Sequence, residues 1–245
     1  MQLRCGFRFG LLTALGVLIL SGPPARAQIR KELQPEPPVL IQNDNPPPAD
    51  FIVIDEHIWS SYLADEPGLK SRAAMQDLKD GKLPAAGQNL LKLSALTHMA
   101  AARSEPTIKT FLLSDADSLR VLGIELKKEK AVPPDRIRGI FARDLQALAL
   151  HHADRASRHW LKHDDISAGY DLKAAAMDLR DADHWYGANP SRLREGLAVE
   201  ATELSDKLIN ERTVDPKEAD RVITEIHERS RELARELHPE SVPEK

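Results

Sequence analysis

From Asp50 to Pro239 the apolar residues recur every three or four positions, and prolines punctuate the run. That spacing marks one face of an α-helix, and convincing two-residue alternation is absent. Phe51, Ile54, Ile58 and Tyr62 open the pattern, although Phe51–Ile54 alone also reads as a short strand. Pro67-Gly68 is expected to end this element, and Leu69, Ala73 and Leu78 to continue the pattern as far as Gly81. Pro84 suits a first helical turn, where a missing N–H costs nothing. Leu90, Leu93, Leu96 and Ala100 mark the buried face of the helix it starts. Pro106 starts another, with Ile108, Phe111, Leu119, Leu122 and Leu126, and its basic end suits the partial negative charge of the last carbonyls. Pro133-Pro134-Asp135 breaks and caps, and a long helix is expected over 136–163. Ser167 is the expected N-cap of 168–187, and Asn189-Pro190 opens a helix reaching Arg212. Asp215-Pro216-Lys217-Glu218 has the form of a capping box before the stripe Val222, Ile226, Leu233 and Leu237. The expected fold is all-α, an antiparallel bundle of about seven helices with short connections.

Such a chain must hold together by burial alone. Its single cysteine, Cys5, falls in a segment with the layout of a secretory signal peptide. Arg4 and Arg8 precede the apolar run Gly10–Leu20, and Ala25-Arg26-Ala27 forms the cleavage site. Cleavage of residues 1–27 leaves 218 of the 245. Loss of Arg4, Arg8 and Arg26 takes the formal charge from −4 to −7. This balance argues against a nucleic-acid partner, which calls for a basic surplus. Export without cysteines or a usable N-glycosylation sequon suits the bacterial periplasm or the extracellular medium. No apolar stretch of the mature chain reaches transmembrane length. Residues 28–50, with Pro35, Pro37, Pro38 and Pro46–Pro48, read as an extended or disordered linker. The helical domain then covers 51–239, and 240–245 forms a disordered tail.

Two segments resemble one another. Leu78-Lys-Asp-Gly81-Lys-Leu83-Pro-Ala-Ala86-Gly87 and Leu161-Lys-His163-Asp-Asp-Ile166-Ser-Ala168-Gly169 each run from a helix end through a polar turn to an Ala-Gly helix opening. Leu83 and Ile166 would plug the gap between antiparallel helices, and the small Ala-Gly pair would let the two backbones of each hairpin approach. The spacing of about 83 residues is not that of a regular tetratricopeptide array. These tetratricopeptide-like hairpins are similar to those of the YfdX family of bacterial periplasmic proteins, with the pattern L-x-x-G-D-x-x-x-A-x-x-x-L. Leu78, Gly81, Lys82, Ala85 or Ala86, and Leu90 match in the first, and Leu161, Asp164, Asp165, Ala168 and Leu172 in the second, which lacks the turn glycine. The resemblance implies a periplasmic helical fold, a stress-associated binding or chaperone-like role, and no catalytic residues.

Four histidines lie within His151–His163. On a helix His152, His159 and His163 share the face of Ile137, Phe141, Leu145 and Leu148. In a hairpin turning near Asp165, Asp183 would lie roughly opposite 147–148, a loose match to His152. A transition-metal site built on His159 and His163, with help from His152 or Asp183, is the functional reading. Interhelical hydrogen-bonding histidines are the plainer alternative. No nucleophile elbow surrounds Ser157 or Ser167, no glycine loop cradles phosphate, and Asp164-Asp165 suits a helix cap better than catalysis. Trp160, Trp185 and Tyr186 fit core or hairpin-edge packing. Glu225–Glu236 reads as a solvated helix face, or as a coiled-coil surface. The sequence therefore points to an exported, non-enzymatic protein that binds a protein partner, with a metal-binding or sensing role as the alternative.

Overall fold

Proline and glycine positions set the helix boundaries in the computed structural model, which describes residues 56–187, 190–210 and 214–237, with side chains from Glu66 onward. Seven helices and no strands occur among these residues: α1 (Glu56–Lys79), α2 (Leu83–Ala101), α3 (Pro106–Lys127), α4 (Pro134–Leu161), α5 (Asp165–Tyr186), α6 (Arg192–Asn210) and α7 (Pro216–Leu237). The all-α fold expected from the spacing is the fold observed. None of these helices is long and apolar enough to cross a membrane. The leader, the proline-rich stretch, Phe51–Ile54 and the tail lie outside the described residues.

Pro84, Pro106, Pro134 and Pro216 all sit in first turns, as their missing N–H predicts. Pro67 does not behave that way. It lies inside α1, which runs unbroken from Glu56 to Lys79. An interior proline costs about 3 kcal/mol or more in lost hydrogen bonding and steric clash. The packing next to it supplies the compensation. At Gly68 a Cβ would collide with Asp181 Oδ2, so α1 lies directly on α5 there, and Arg72 pairs with the same carboxylate. The N-cap of α5 is Asp164, whose Oδ1 accepts from Ser167 N at 3.2 Å, so Ser167 is the capped residue and not the cap. Asp215 caps α7 through the Lys217 amide at 3.0 Å, one residue earlier than a capping box requires.

The similarity of the two hairpins extends through three helices. The turn, the helix ends that flank it and the glycine contacts of α1–α3 have counterparts 82 positions later in α4–α6. Gly81 (φ 72°) and His163 (φ 59°) both take the left-handed turn conformation. α1 ends at Lys79 and α4 at Leu161; α2 starts at Leu83 and α5 at Asp165. The register is thus one residue shorter than the match of Leu83 with Ile166 suggests. α4 and α7 also both begin on a proline, Pro134 and Pro216, so α7 repeats the first helix of the unit. Its outward positions Lys217, Asp220, Arg221, Thr224, Glu228, Arg231 and Arg235 are polar and exposed, as a capping helix requires.

The Ala-Gly openings do not bring the hairpin's own helices together. Gly87 faces α3, where a Cβ would lie 2.6 Å from Gly123 O. Gly169 faces α6, where a Cβ would lie 3.0 Å from Ser205 O. Gly123 and Ser205 are themselves 82 apart, so both units use the glycine to seat the third helix against the second. The core is aliphatic, with Leu90, Leu93, Leu119, Leu122 and Leu126 fully buried in the first unit and Leu145, Leu148 and Leu172 in the second. Phe141 and Trp185 meet at 5.4 Å, and Trp185 Nε1 donates to Ser71 Oγ at 3.2 Å, which ties α5 to α1.

Candidate functional site

α4 and α5 form the most extensively packed pair of helices, yet their interface is ionic at its centre. Asp171 is completely buried on α5. Its Oδ1 accepts from Arg155 Nε at 3.1 Å and faces His152 Nδ1 at 3.3 Å; His159 Nε2 lies 3.6 Å from Oδ2. Burial pushes this carboxyl up, but the hydrogen bonds and charges of His152 and Arg155 outweigh it and hold the group below the ordinary carboxylate range. His152 Nε2 approaches Asp178 Oδ2, one α5 heptad further, at 3.9 Å. His159 Nδ1 reaches Asp164 Oδ2 at 3.2 Å, so the helix cap and the buried cluster are joined through one imidazole.

The inward face predicted for the histidines is correct for His152 and partly so for His159. The other two expected metal ligands lie elsewhere. His163 is exposed in the left-handed turn after α4. Asp183 forms a buried salt bridge with Arg194 and accepts from Ser191 N at 2.5 Å. The cause is register. The hairpin turns at His163, not Asp165, so Asp171 lies opposite Arg155, and Asp183 lies about two and a half helical turns from His152. Among the described residues no three His, Cys, Asp or Glu side chains gather as a metal ion needs. The four residues expected to share a metal, His159, His163, His152 and Asp183, are not brought together: two of them join an ion cluster around Asp171.

A second set of buried polar groups joins the two repeat units. Thr97 Oγ1 on α2 lies 2.8 Å from Asp144 Oδ1 on α4, and Arg143 Nε lies 3.3 Å from Asp115 Oδ1 on α3. Asp144 is completely buried, and Oδ2 has no hydrogen-bond partner. Burial, then the nearby Asp115 charge, keeps its carboxyl well above the ordinary range. Burial also raises Asp115, to about 6, against the pull of Arg143. At the other end of this junction Ser104 Oγ lies 2.7 Å from His151 Nδ1. Burial holds His151 neutral, reinforced by His152, Arg155, Arg158 and Arg103. Ser104 Oγ also lies 2.9 Å from Ala100 O, so it bridges the end of α2 and the α4 imidazole.

Sequence reasoning missed Asp171, Asp178, Arg155, Asp144 and Asp115. A signal was present: Asp171 and Asp178 stand seven apart on the stripe of Leu172, Ala175 and Leu179, and an acid on an apolar face needs a buried partner. Their partners come from another helix, so no local spacing reveals them. No protein-family model, curated protein or solved structure matches the chain.

Proposed function

We propose that the chain is an exported, non-enzymatic helical-repeat protein that works by binding another protein in the bacterial envelope. The observation that carries this reading is the outer face of α3. Leu113, Val121 and Ile124 are exposed there, at 36%, 43% and 36%. The positions 82 residues later on α6 are Glu195, Glu203 and Asp206, also exposed. At these three positions the two helices thus present opposite chemistry to solvent, although α6 exposes Leu193 and Val199 elsewhere on its surface, at 60% and 53%. The acidic face is what solubility asks of an outer helix; the apolar one is what a partner surface asks. The buried cluster supports a structural role for the ionisable residues, since Asp171 is occupied by groups from α4 and His151 by Ser104. The hairpin resemblance to the YfdX family points in the same direction.

A photo-crosslinking residue at Val121 is expected to trap one reproducible protein in envelope extracts, while the same probe at Glu203 traps none. The variant Leu113→Glu/Ile124→Asp should keep its helicity and lose the adduct. Equal labelling from both faces, or an adduct that survives the double variant, defeats the reading.

A further inference from the structure

The second repeat fills a place that the first leaves open. In the second unit Trp160, at the end of α4, packs against the core, as does Val214, and its Nε1 donates to Asp220 on α7 at 2.6 Å. The equivalent residues of the first unit are Leu78, Val132 and Arg138. Leucine is smaller than tryptophan, and arginine cannot accept an indole N–H. A groove of about 500 Å³ occupies this place, walled by Met75, Leu78, Leu83, Val132 and Trp185. That volume lies within the ~300–1,000 Å³ of small-molecule sites, and an apolar wall with a few polar groups is their usual make-up. Trp185 is held rigidly as one wall by Phe141 and Ser71.

Charge decides the ligand's polarity. Lys79 and Arg138 stand on the rim, together with Asp135 and His184. Among the described residues no carboxylate pairs with Lys79 or Arg138, and Asp135 makes an ion pair with neither. Arg138 is half-buried. A half-buried guanidinium beside an apolar wall calls for a counter-charge. In the second unit the same position is Asp220, which already serves Trp160.

We propose that this groove binds a free aliphatic carboxylate, with the alkyl chain against Met75, Leu78, Leu83 and Trp185 and the carboxylate between Lys79 and Arg138. Dodecanoate below its micellar concentration is the probe, titrated calorimetrically into the full chain. Saturable one-to-one binding is expected. Leu78→Trp, which imports the second unit's filling, should abolish it, and Arg138→Gln should weaken it about tenfold, or 1.4 kcal/mol. Arg138→Gln changes only a rim charge, so it keeps the test decisive if Leu78→Trp fails to fold. Butyrate, too short to cover the wall, should give no saturable heat. No saturable binding of dodecanoate overturns the proposal. So does binding that is unchanged in Arg138→Gln, or equal affinity for dodecyltrimethylammonium, which has the same chain and the opposite charge.

Discussion

The α1–α2 and α4–α5 hairpins share a backbone and differ in what they enclose. Asn89 and Asp171 occupy the same position, as do Asp77 and His159. In the first hairpin Asn89 Nδ2 donates to Asp77 Oδ2 at 3.0 Å, a part-buried contact near solvent. In the second, the equivalent pair is Asp171 with His159, and Arg155 and His152 have joined it inside the protein. Turn geometry and glycine contacts are repeated closely, whereas the polar interior is not. The plan of the unit is therefore carried by a few backbone-determined positions, and the chemistry between its helices is free to diverge.

The sharpest test of this contrast removes the two equivalent side chains. Asp171→Ala should cost about 3–5 kcal/mol, because it removes the buried carboxylate that Arg155, His152 and His159 share. Asn89→Ala should cost about 1 kcal/mol, the net worth of an ordinary hydrogen bond. Denaturant unfolding measures both, and similar losses would erase the distinction between the hairpins.

The glycine contacts come next. A methyl at Gly87 meets backbone, Gly123 O at 2.6 Å, which cannot move aside without shifting α3. A methyl at Gly169 first meets Ile209 Cγ1 at 2.8 Å, a side chain that can turn away. Gly87→Ala should destabilise by about 1–3 kcal/mol, and Gly169→Ala by less. The reverse order in thermal melts would show that the two crossings are not the same device.

The turns give the smallest effect with the clearest sign. Left-handed backbone costs a residue with a side chain about 1–2 kcal/mol that glycine escapes. His163→Gly should therefore stabilise the second hairpin by about 1 kcal/mol, and Gly81→His should destabilise the first by a similar amount. A loss on His163→Gly would mean that the imidazole contributes something the turn geometry does not reveal.

The junction between the units responds to pH with two opposed signs. Asp115 and Asp144 bind protons more tightly folded than unfolded, so their contribution is full below about 3.8 and is lost as pH rises, through about 6 for Asp115. His151 is depressed, so its contribution is full above 6.5 and is lost as pH falls. Asp144→Asn keeps an amide beside Thr97 and has no charge to bury. Its stability relative to the natural chain should grow as pH is raised from 4 to 7. A difference that stays flat across that range would mean Asp144 is not held protonated.

Much of this was legible in the chain. Pro84, Pro106, Pro134 and Pro216 announced four helix starts because a proline's missing N–H is harmless only in a first turn. The same local rule misjudged Pro67, where contact between Gly68 and Asp181 outweighs it. His152 was read as inward-facing from its stripe. Asp171 was not identified as its partner, since a shift of the turn from Asp165 to His163 moves the facing residue by one helical turn.

Sequence alone determined the helices, their approximate ends, the likeness of the two hairpins and the aliphatic stripes, because propensity, capping and periodicity act over a few residues. Only the tertiary structure decided that Gly87 and Gly169 serve the third helix, that Asp171 gathers Arg155, His152 and His159, and that Leu78 leaves open what Trp160 closes. Those outcomes depend on distances between segments far apart in the chain, which the register of packed helices fixes and local spacing does not encode.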